Sequence, residues 1–188
     1  MANADRPRGF TPVKFTSGAP YRGEMRTVGI TDAKDIYVGD PIIVTTGLAL
    51  QCASGSTAVG VAMGFGKRSD VDGYAAGAFD PENLDKTWHD DSDGTHTDYV
   101  CFYVPVQNMI FEVQSDIDAS AAVVGTVYDT TATGTLAGSA GGRSAVQLTT
   151  DSNHDIEVVE LPQAPDNDAT LINASYYVQF VTDQFAQA

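Results

Sequence analysis

His89-Asp90-Asp91-Ser92-Asp93-Gly94-Thr95-His96 places two histidines around three aspartates, the densest set of metal-ligating side chains in the chain. A calcium loop of the EF-hand type needs oxygen ligands at alternate positions, glycine at the sixth and glutamate at the twelfth. Counted from Asp91, Asp93 falls correctly, but Gly94 comes too early, Thr95 takes the fifth place and Phe102 the twelfth. Zinc needs three or four nitrogen or sulfur ligands. His89 and His96 have no third histidine close in sequence, and Cys101, five residues after His96, stands in a strand-like run. The stretch reads as a solvated turn, since Asp, Ser, Gly and Thr are turn formers, and no metal or other cofactor is expected.

Other chemistry is as thinly supplied. No G-x-S-x-G nucleophile elbow occurs, and Gly141-Gly142-Arg143-Ser144-Ala145 lacks its spacing. In Gly64-Phe65-Gly66-Lys67-Arg68-Ser69 an arginine stands where a phosphate-binding loop needs Ser or Thr. The carboxylate pairs Asp90-Asp91 and Glu157 with Glu160 are ordinary in a chain of net charge −15. Trp88 beside His89, Asp90 and Asp91 is the one hint of a sugar platform. Non-enzymatic function is the expectation. Cys52 and Cys101 lie far apart in strand-like runs and read as buried free thiols.

The elements around these residues are strands. Eleven short runs rich in β-branched and aromatic residues follow residue 24: EMRTVGI, KDIYVGD, PIIVTT, LALQCA, AVGVAMGF, DYVCFYVPV, NMIFEVQ, VVGTVYD, SAVQLTT, DIEVVEL and SYYVQFVT. Breakers such as Gly39-Asp40-Pro41 and Ser54-Gly55-Ser56 separate them. The pattern predicts an all-β fold, an antiparallel β-sandwich or barrel, with little helix. Helix signals are confined to DPENLDK at 80–86 and IDASAAV, and TTATGTLAGSAGG at 130–142 reads as a loop.

Residues 1–26 differ from the remainder. Arg6, Arg8, Lys14, Arg22 and Arg26 stand against Asp5 and Glu24, a net +3, which leaves −18 on the other 162 residues. Pro7, Pro12 and Pro20 alternate with Gly9, Gly18 and Gly23, and Phe10, Val13, Phe15 and Tyr21 stand between them. This predicts an extended basic arm, 1–26, on a single acidic body, 27–188; about 20 extended residues reach roughly 65 to 70 Å. Such an arm docks on an acidic partner, ordering as it binds. The acid excess disfavours nucleic acid. No apolar run is long enough to span a membrane, and the opening MANADRPRGF has no secretory h-region.

RPRGFTPVKFTSGAPYRGEMRTVGI, then IYVGDPIIV, AVGVAMGF and VPVQNMIFEVQSD, together resemble the small β-rich structural proteins of tailed bacteriophages, in particular those that decorate, or cement, the capsid exterior. The resemblance implies a virion protein on the outer capsid surface. It would assemble as a homotrimer that clamps neighbouring major capsid subunits after head expansion and resists the pressure of packaged DNA. On this chain it implies capsid contacts from Arg6, Arg8, Phe10, Pro12, Lys14, Phe15, Tyr21 and Arg22. A tail tube, head–tail connector or head-fibre role shares the composition. A phage polysaccharide-binding or depolymerising protein is a further alternative, resting on Trp88, Asp90 and Asp91.

Overall fold

In a computed structural model of the chain, the described residues are 3, 8–30, 36–67, 88–89, 99–117, 124–131, 144–150, 155–163, 167–168 and 171–181. Among them there is no helix, and the fold is all-β. The two helix signals at 80–86 and after Ile117, and nearly all of the 130–142 loop, lie outside these residues.

Five strands close a barrel. They are β2 (Arg26–Ile30), β4 (Pro41–Thr45), β5 (Leu48–Gln51), β6 (Gly60–Lys67) and β8 (Tyr99–Pro105), in the order β2-β5-β4-β6-β8. All pairings are antiparallel except β2 with β5. Six strands form an open sheet in the order β1-β9-β13-β12-β10-β11. These are β1 (Thr11–Phe15), β9 (Met109–Gln114), β10 (Val127–Thr130), β11 (Leu148–Thr149), β12 (Ile156–Glu160) and β13 (Ser175–Phe180). A small ladder joins β3 (Ile36–Tyr37) to β7 (Trp88–His89).

Strand alternation separates two cores. Inside the barrel Ile30, Ile42, Ala49, Ala62, Cys101 and Tyr103 pack with Ile36 and Phe65. The side chains on the other faces of β6 and β8, Val61 and Val104, turn outward and meet Phe111, Val113, Ile156, Val158, Tyr176 and Val178 of the open sheet. One face of the sheet is thus buried against the barrel wall, as period-two patterning requires. Its other face carries Glu112, Tyr177, Glu157, Gln179 and Glu160, all at least partly exposed.

The N-terminal segment belongs to this body, which corrects the expected boundary at residue 26. β1 is the edge strand of the open sheet, paired antiparallel to β9 with Thr11 opposite Glu112 and Phe15 opposite Met109. Pro12 is tolerated because an edge strand needs donors on one side only. The 16–21 hairpin folds back over the edge, and the Tyr21 N–H donates to the Val13 carbonyl at 3.1 Å. Residue 3 is tied down as well. The Asn3 side-chain amide donates to the Asp168 carbonyl at 2.9 Å, and its oxygen accepts from the Asp168 N–H at 2.9 Å.

Candidate functional site

Phe10 is the pivot of the N-terminal segment. It is 1% exposed. Its ring lies 4.9 Å from that of Phe180 and edge-on to Phe111 at 6.1 Å, and Phe111 is edge-on to Phe180 at 5.8 Å. Edge-to-face geometry is the favoured aromatic arrangement. The expectation that Phe10 fills a groove on a partner is therefore corrected, because an apolar ring this well buried inside its own chain is withdrawn from any partner surface.

The backbone beside Phe10 explains its placement. Gly9 and Gly39 both have positive φ, +66° and +96°. A Cβ on Gly9 would strike the Gly39 carbonyl oxygen and the Ser144 side chain; one on Gly39 would strike the Arg8 carbonyl oxygen. Only glycine permits both the dihedral and this approach. The Phe10 N–H then donates to the Gly39 carbonyl at 2.9 Å.

Asp40 lies directly behind this contact, 1% exposed. Its Oδ2 accepts from the Tyr37 N–H at 2.9 Å and from Gln51 Nε2 at 2.7 Å, and Ser144 adds a side-chain hydrogen bond. Burial raises its carboxyl to about 6, against the opposing pull of these hydrogen bonds. The sequence marks Gly39-Asp40-Pro41 as a turn. The turn is present, with the Asp40 N–H on the Tyr37 carbonyl at 3.0 Å, but nothing in the local pattern marks Asp40 as buried.

Two further cations of the segment are paired within the chain. Arg8 reaches Glu112 at 3.8 Å. Lys14 spans two strands: Nζ lies 5.5 Å from the centre of the Tyr177 ring and bonds Glu160. A register shift between Pro12 and Lys14 sets Lys14 opposite Ile110, and another between Val158 and Glu160 sets Glu160 opposite Tyr177. Bulges re-aim side chains in this way. Pairs as exposed as these contribute about 1 kcal/mol or less.

The remaining expected contacts divide in three. Pro12 is half-buried in β1, opposite Phe111. Phe15 and Tyr21 pack partly against the sheet's core. The Tyr21 hydroxyl donates to the Glu24 carbonyl at 3.2 Å, and burial, with the Glu24 charge second, pushes its phenol up. Arg22 is exposed and makes no ion pair among the described residues; its N–H donates to the Glu24 carboxylate at 3.2 Å. Arg6 lies outside the described residues, as do Asp90 to His96 of the histidine–aspartate stretch and His154. Among the described residues, no group of three His, Cys, Asp or Glu could hold a metal ion.

An open cavity of about 300 Å³ lies where the end of β1, the 21–25 segment, the start of β2 and the β8–β9 turn meet. Phe15, Met25, Val104, Pro105 and Met109 form its apolar wall, with Glu24 and Arg26 at the rim. Among the described residues, Phe15 is the one expected contact that lines it. Arg26 is visible in the sequence only as one of the basic residues of 1–26, and Met25 and Pro105 carry no signal, since only the fold brings residue 25 beside residue 105.

Comparison of the chain with protein-family models, with curated proteins and with solved structures finds no match.

Proposed function

We propose that this protein is a structural component of a tailed-bacteriophage virion that decorates the outer capsid surface and cements neighbouring major capsid subunits. One observation carries the reading: the four segments of the phage-like resemblance converge on a single junction. Phe10 bonds Gly39; the Gly39 N–H donates to the Ala62 carbonyl and the Ala62 N–H to the Asp40 carbonyl. The Val106 N–H donates to Val59, and Phe111 packs on Phe10. The similarity therefore falls on residues that build the scaffold, not on scattered surface positions. An acidic body suits a repeated surface protein, because like charge limits aggregation between copies, and assembly as a trimer would multiply weak capsid contacts.

The test is co-sedimentation of the full-length protein with empty expanded heads of the phage that encodes it, at low and high salt, beside sedimentation velocity of the free protein. Saturable, salt-sensitive binding and a trimer are expected. Absence of head binding overturns the reading. A hexamer found in isolated tails would move the protein to the tail tube or connector.

A further inference from the structure

Of the cations whose side chains are described, Arg8 and Lys14 are paired with acids of the body. Arg22 and Arg26 are exposed and have no ion pair among the described residues. Both lie next to the apolar cavity: Arg26 on its rim, and Arg22 bonded through its backbone to the rim residue Glu24. The local balance, two arginines against Glu24, is +1 on a chain of −15. Met25, between them, is 44% exposed.

We infer that this cavity is the docking groove, and that its occupant is an extended acidic segment of the partner protein that inserts one large apolar side chain. The inference rests on the decoration reading and narrows it from residues 1–26 to the mouth between β1 and β2. About 300 Å³ is the lower end of the range for ligand cavities, a size that suits a side-chain anchor better than a whole organic ligand. Thioether and aromatic walls adapt to such an anchor. Arginines with no ion pair among the described residues stand beside it and provide forked donors for carboxylates, which favour Asp or Glu flanking the anchor. The backbone also suits an extended partner. Arg26, Thr27 and Val28 pair with β8, but among the described residues β2 meets β5 only at Gly29 and Ile30. An open strand edge of this kind accepts an added segment.

The test uses the full chain and a labelled eight-residue peptide of alternating aspartate and glycine around one phenylalanine, followed by fluorescence anisotropy. Lysine-for-aspartate and serine-for-phenylalanine peptides are the controls. The expected result is saturable binding to the acidic phenylalanine peptide, weakened at least tenfold by Arg26→Glu, by Met25→Glu and in the serine peptide. Arg22→Glu lies outside every strand and serves should either of the others fail to fold. Equal binding of the lysine peptide, or no saturable binding, overturns the inference. So does concentration-dependent self-association lost in Met25→Glu, which would make the occupant a second copy of this chain. Head binding by the protein without peptide binding would sink the groove and leave decoration standing; peptide binding without head binding would do the reverse.

Discussion

Replacing Asp40 with asparagine tests whether its carboxyl is buried at a free-energy cost. In the folded chain its proton is held to about pH 6, against 3.8 in a model peptide, with burial as the main cause. The sign follows from proton counting. Below pH 3.8 the group is protonated in both folded and unfolded chains, and burial carries no charge penalty. Between 3.8 and about 6 the unfolded chain releases the proton while the folded chain keeps it, so stability falls as pH rises. Above 6 the carboxylate is charged inside the junction and the loss is complete. At 1.36 kcal/mol for each pH unit the loss is about 3 kcal/mol. Urea unfolding, followed by far-ultraviolet circular dichroism from pH 3.5 to 7, would be run on the wild type and on Asp40→Asn. The many exposed carboxylates affect both proteins alike and cancel in the difference. Relative to the variant, the wild type is expected to lose about 3 kcal/mol across that range, most of it between pH 4 and 6. Parallel curves would refute the reasoning. A wild type that gains on the variant as pH rises would mean that the Tyr37 N–H, Gln51 and Ser144 donors outweigh burial.

Phe10→Ala should destabilise the fold by about 3 to 5 kcal/mol in thermal or urea unfolding, and a chain lacking residues 1–26 should melt far below the full protein; an unchanged melting temperature would return the segment to the status of a free arm. Gly9→Ala should cost at least roughly 1 to 3 kcal/mol from the left-handed backbone alone, with the clash at Ser144 adding to it, whereas Gly18→Ala, at φ +87° but with open space around it, should cost less; equal losses would argue against the close approach. Cys52, whose thiol burial pushes up to about 12, and Cys101, raised by the same cause, should resist a disulfide reagent at pH 8 until urea unfolds the chain. Rapid native labelling would contradict the burial of both.

Most of the β framework was legible. Each of the eleven runs overlaps an observed strand; Gly39-Asp40 and Ser54-Gly55-Ser56 fall between strands, while Pro41 opens β4. Residues 11–15 carry no strand pattern because Pro12 and the flanking glycines disguise an edge strand as irregular chain, and Trp88–His89 is too short to carry one. The site was less legible. Basic and aromatic residues in the first 26 positions were visible, but Arg8 and Lys14 find their acids more than 100 residues away, at Glu112 and Glu160. No local pattern announces a pairing set by sheet order. Its glycine and proline neighbours make Phe10 look exposed. Those same glycines let the backbone come close enough to Gly39 to bury the ring.

The sheet order also governs when the protein can fold. β1 precedes its neighbour β9 by about a hundred residues, and the Phe180 ring that meets Phe10 belongs to β13, the last of the described strands. The Asn3 amide waits for Asp168. Pairings this distant in sequence must close large loops before any contact rewards them, which slows folding. Until β9 and β13 are available, β1 has only the local 16–21 hairpin to bond with, and Phe10 lacks the Phe111 and Phe180 rings that bury it. The first of the described strands is therefore among the last to find its partners.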